Sequence, residues 1–168
     1  MYGDFLLVLV FLLIIYQDFK ERAISVWTIP LIFLLSLYLA WSDFIWEAWF
    51  LLFNVSFIAV QLLGVSLYFS LKHRQWINVT KDYLGLGDVL FFLAITPLFA
   101  PLQFCCFFVA SLVFILLGAG IYHLSIHKLK TIPLAGAMSI CWLLYTALLS
   151  YYNLSSYNDW TLLQYIYG

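Results

Sequence analysis

The chain has 168 residues, of which 66% are hydrophobic and only 9% charged, with a formal net charge of −1 and a mean hydropathy of +1.04. Soluble globular domains carry about 25% charged residues, so the composition excludes a water-soluble enzyme and points to a membrane protein. Apolar runs recur along the whole length without a linker rich in Pro, Gly or Ser, so residues 1–168 read as a single integral membrane domain.

The N-terminus, Met1-Tyr2-Gly3-Asp4, lacks a basic region before its apolar run. Gln17-Asp18-Phe19-Lys20 follows that run in place of a small-residue cleavage site. The first run is therefore expected to stay in the mature protein. Six apolar segments follow in order, at about 5–18, 25–41, 47–71, 86–100, 102–126 and 131–152, against about 20 residues needed for a span. Backbone groups in hydrocarbon must pair within their own element, so the segments predict an all-α, polytopic helical bundle of about six transmembrane helices.

All seven Lys and Arg fall in three connections: Lys20 and Arg22 after the first segment, Lys72, Arg74 and Lys81 after the third, Lys128 and Lys130 after the fifth. The positive-inside rule puts these loops in the cytoplasm and both termini outside. The other face carries Asp4, Asp43, Glu47 and Asp159 and no basic residue. Trp41, Trp46 and Trp49 cluster at an outer turn, as an interfacial aromatic belt does.

Two carboxylates stand apart. Phe5 to Gln17 rises only about 20 Å at 1.5 Å per residue, short of a hydrocarbon core of about 30 Å, so the first helix is expected to run on past Gln17 and draw Asp18 to the interface. The fourth segment is short in the mirror sense and draws Asp88 inward. Both acids then lie at similar depth on the cytoplasmic side, and acids near hydrocarbon mark function or pairing. Gly85 and Gly87 flank Leu86 ahead of Asp88 and permit a close backbone approach.

Each acid also has a structural reading: Asp88 as a helix N-cap, Asp18 as a juxtamembrane charge neutralised by Lys20 or Arg22. Together they form a candidate dyad in which one proton is shared. The ionised member can activate water while the protonated member polarises a peptide carbonyl.

Cys105, Cys106 and Cys141 fit neither a disulfide framework nor a zinc spacing and read as apolar filler. His73, His123 and His127 form no close triad. No metal and no cofactor are expected.

The stretch Asp18-Phe19-Lys20-Glu21-Arg22-Ala23-Ile24-Ser25 resembles the first aspartate motif of the type IV prepilin peptidases, and Gly85-Leu86-Gly87-Asp88 resembles their GxGD motif. Ile132-Pro133-Leu134-Ala135-Gly136-Ala137 is similar to the family's Ile-Pro segment. The resemblance covers roughly residues 10 to 140. It implies an aspartyl endopeptidase that removes the leader from type IV pilin-like precursors at the cytoplasmic membrane boundary, with Asp18 and Asp88 as the catalytic pair and Gly85 and Gly87 as active-site backbone. Lys20, Arg22, Ile24 and Pro133 are candidate substrate or interface contacts. Longer members carry paired CxxC motifs and N-methylate the product. This chain has no CxxC, so the resemblance extends to the peptidase and not to the methyltransferase. Ser25 stands where Pro often follows the motif's Ile and is expected to cap the second helix.

The implied location is the inner, cytoplasmic membrane, with lipids and pilin-like precursors as partners, no nucleic acid, and homo-oligomerisation left open. Two rival readings stand beside it: a presenilin-like intramembrane aspartyl protease, and a small transporter or assembly scaffold without catalysis.

Overall fold

The computed structural model describes residues 2–41, 44–74, 84–125, 133–152, 154–160 and 163–164, and for Tyr2, residues 44–47 and residues 122–125 the backbone alone. Among the described residues the structure has six α-helices: α1 (Tyr2–Glu21), α2 (Thr28–Ala40), α3 (Phe44–His73), α4 (Leu86–Ile95), α5 (Pro101–Ser125) and α6 (Leu134–Tyr151). A 3-10 turn over Thr96–Leu98 follows α4, and no strand occurs among the described residues. The all-α reading therefore holds. Among the described residues three helices are long and apolar enough to cross a membrane, over Ala48–His73, Pro101–Ile121 and Leu134–Tyr151, while α2 and the Leu86–Leu98 stretch are shorter apolar helices.

The helix starting at Tyr2 does continue past Gln17, through Glu21. Its end is set by Arg22, which adopts a left-handed φ of 55° and donates its amide to the Asp18 carbonyl at 3.1 Å. This is the αL termination usually made by glycine. The Gln17 side chain then accepts the Ser25 amide at 3.0 Å and folds the connection back over the helix end. Ser25 does not cap α2 through its hydroxyl. The helix begins later, at Thr28, without a side-chain cap, and it is the Ser25 carbonyl that accepts the Thr28 amide at 3.0 Å and the Thr28 hydroxyl at 2.6 Å.

α1 packs chiefly on α6 and α2. The α1–α6 seam runs antiparallel, with Phe11 stacked on Trp142 at 4.2 Å. Phe11 is fully buried and also meets Phe91 of α4 edge-on at 6.2 Å. One aromatic side chain thus ties together the three helices that carry Asp18, Asp88 and the Ile-Pro segment. Seven residues further along α1 and six residues back along α6, both about 10 Å away at 1.5 Å per residue, lie Asp18 and Gly136. Ala135, Gly136 and Ser139 are buried on α6, and such small residues let two helices approach closely in an apolar setting.

The fourth segment ends earlier than its apolar run suggests, because Pro97 cannot donate to a continuing α-helix. The carbonyls of Thr96 and Phe99 are taken up by Asn54 of α3, whose Nδ2 donates to them at 3.1 and 2.9 Å. Asn54 is fully buried. Non-helical backbone inside an apolar bundle persists only when protein groups satisfy it, and this side chain does so.

Candidate active site

Asp18 and Asp88 meet at the amino end of α6. Helices leave their first amide groups without intrahelical partners and carry partial positive charge there. Leu134, Ala135 and Gly136 are the first three residues of α6, with Pro133 as N-cap. The Gly136 amide donates to Asp18 Oδ2 at 2.6 Å. The Asp88 carboxyl accepts from the Ala135 and Gly85 amides and lies within electrostatic reach of Asp18. Two acids from two other helices thus converge on adjacent amides of a third.

Their surroundings differ. Asp18 is only 6% exposed, and Asp88 is half-buried. Asp88 is not an N-cap: Gly85 occupies that position in an extended conformation (φ −62°, ψ 140°), and Asp88 is the third helical residue. From there its side chain reaches back to the Gly85 amide, as the third residue of a capping box does.

The two motif glycines are unequal. A Cβ on Gly85 would lie 3.2 Å from Asp88 Oδ2, tighter than ordinary packing, whereas one on Gly87 would meet only Ile24 Cδ1 at 3.9 Å. Gly85 shapes the carboxylate's seat. Gly87 leaves open space beside Ile24, which packs against the core.

A groove of about 380 Å³ adjoins the pair, between the end of α1, α5 and α6. Phe19 borders it near the end of α1 and Arg22 just beyond, Pro133 and Ala137 at the start of α6, and Gly118 and Cys141 further along. Phe19 follows Asp18 in sequence, and Pro133 and Ala137 bracket Gly136, so the groove lies next to the pair, although neither carboxylate lines it.

Of the residues singled out in the sequence, Asp18, Asp88, Gly85, Gly87, Ile24, Arg22 and Pro133 come together here. Lys20 turns elsewhere: its ammonium donates to the Tyr16 hydroxyl at 2.6 Å and sits 4.9 Å from that ring's centre. His73 stacks on Phe69 at the end of α3. Lys81, Asp82, His127, Lys128, Lys130 and Ile132, and the side chains of Trp46, Glu47 and His123, lie outside the described residues. Among the described residues no group of three His, Cys, Asp or Glu side chains could hold a metal ion.

Sequence reasoning passed over Gly136, Ala135 and Gln17. A signal for the first existed: Pro133 marks a helix start, and a glycine three residues on is unexplained by helix propensity alone. Nothing in the pattern marks the Gln17 side chain. Comparison of the chain with protein-family models, curated proteins and solved structures gives no match.

Proposed function

We propose that the chain is an aspartyl endopeptidase of the prepilin type, cutting leaders from pilin-like precursors at the cytoplasmic boundary of the inner membrane. The observation that carries the reading is the convergence of Asp18 and Asp88 on the Ala135 and Gly136 amides. A single carboxylate satisfies a helix end. A second one adds like-charge repulsion that a shared proton relieves, and that proton is what peptide hydrolysis needs.

In the proposed reaction the ionised member takes a proton from water as the water oxygen attacks the scissile carbonyl. The protonated member donates a hydrogen bond to the carbonyl oxygen, and the tetrahedral intermediate collapses as a proton passes to the leaving amine. A helical segment cannot present its carbonyl while its backbone is bonded internally, so the scissile segment is extended and the cut falls outside the precursor's apolar helix. On this reading the basic connections face the cytoplasm, both termini lie outside, and methyl transfer is not part of the activity.

The test is cleavage of a pilin-like precursor by the purified protein in detergent, with the cut mapped by mass spectrometry. A single cut at the leader boundary is expected. Efficient cutting near the middle of a transmembrane helix would favour the presenilin-like alternative, and no cutting by a folded protein would favour a scaffold or transporter. Cysteines introduced at Ser42 and Gln75 should react from outside and inside respectively, and the reverse pattern would overturn the orientation.

A further inference from the structure

We infer that Gly136 is a positioning residue for the dyad, acting through both its amide and its missing side chain; the inference rests on the peptidase reading above. Asp18 is almost fully buried, and a buried polar group is costly unless it is hydrogen-bonded. Its bond to the Gly136 amide, at 2.6 Å, is shorter than the range of about 2.7–2.9 Å for charge-assisted N–H···O bonds. The same carboxylate crowds any substitution at the donor, so that a side chain there would push its neighbours by a few tenths of an ångström. A Cβ on Gly136 would lie 3.0 Å from Asp18 Oδ2, 3.1 Å from Asp18 Cβ and 3.1 Å from Phe19 Cδ2.

Two independent features therefore converge on one residue. The amide fixes where Asp18 Oδ2 sits, and the hydrogen in place of a side chain lets α1 come close enough to accept it. The adjacent Ala135 amide is directed at Asp88, so α6 sets the spacing of the pair through consecutive backbone groups. α6 itself offers Asp18 no charged side chain over Leu134–Tyr151, and Lys20 is engaged with Tyr16. A glycine here thus serves alignment of the reacting groups and not a turn, since α6 is regular helix at this point.

The experiment compares Gly136→Ala with Gly64→Ala in the full chain. Gly64, on α3 and away from the groove, is the matched control because a Cβ there meets nothing within 4 Å. Displacing Asp18 by a few tenths of an ångström should lower kcat about tenfold, short of the roughly 10²-fold that a 1 Å misplacement of a catalytic group costs, with KM within about twofold of the unmutated protein. Gly64→Ala should leave kcat unchanged. Should Gly136→Ala fail to fold, the double variant Phe19→Ala/Gly136→Ala takes its place, because it relieves the Phe19 contact while the Asp18 contact persists.

A second readout needs no cleavage. In protein labelled with 15N-glycine, one glycine amide proton should resonate far downfield and move upfield in Asp18→Asn, but not in Asp159→Asn. Unchanged kcat in the folded Gly136 variant, or no glycine amide responding to Asp18→Asn, overturns the inference. Failure of the unmutated protein to cut any precursor overturns the peptidase reading instead, and the amide signal still decides whether Gly136 holds Asp18.

Discussion

Two helices in this bundle have their amino ends met by carboxylates from elsewhere in the chain, and they lie at opposite ends of the molecule. At α5, Asp159 accepts the Leu102 and Gln103 amides at 3.0 and 3.1 Å. Around it the Gln103 amide group donates to the Ser155 and Asn158 carbonyls, the Tyr145 hydroxyl donates to Gln103 Oε1, and the Ala100 amide donates to the Ser156 carbonyl. One acid serves one helix end, and the Gln103 side chain and Ala100 amide beside it are paired, while Asn54 Oδ1 nearby has no partner among the described residues. At α6 two acids serve one helix end, from two different helices, beside an open groove. The chemistry of capping is the same. The difference lies in stoichiometry: the first arrangement completes a helix, while the second concentrates negative charge beyond what the helix requires.

The comparison is broken most decisively by removing the charges in turn. Asp18→Asn and Asp88→Asn should each lower cleavage by at least about 10²–10⁴-fold, the contribution of a positioned acid or base, with the helical content of the bundle retained. Asp159→Asn should leave kcat unchanged and lower stability by about 1 kcal/mol at most, read from thermal melting in detergent. Equal loss of activity from all three would mean that both helix ends are structural.

A smaller effect is expected at Asn54, which belongs to the α5 end through Thr96 and Phe99. Asn54→Leu keeps the volume and strips two buried carbonyls of their donor, an expected loss of about 1–3 kcal/mol. Cleavage per folded molecule should persist at low temperature. A selective loss of kcat without a change in melting would show that the α5 end is coupled to the dyad.

The smallest expected effect concerns the groove beside the amino end of α6. Gly118→Trp should fill it and raise KM about tenfold, the scale of one lost apolar contact, with kcat retained. Gly120→Trp is the matched control on the same helix, since a Cβ there also meets nothing within 4 Å. Equal KM for both variants would detach the groove from substrate binding.

Composition, the spacing of apolar runs and the span lengths were enough to read an all-α membrane bundle, the continuation of α1 past Gln17 and a helix start just before Asp88. Each follows from local rules: how far a helix must rise, where a backbone can pair, and where charge can sit. The pairing of the two acids was legible as an inference from depth alone. Tertiary structure decided what holds them. Gly136 donates to a residue 118 positions away, and no periodicity reports on a contact between a backbone amide and a side chain so distant. The same limit explains Asn54, which serves a break that Pro97 creates more than forty residues on; Lys20, by contrast, meets Tyr16 one turn back on its own helix, a pairing within reach of local rules. Sequence pattern records which groups need partners; only the packing of α1, α4 and α6 around Phe11 determines which partners they find.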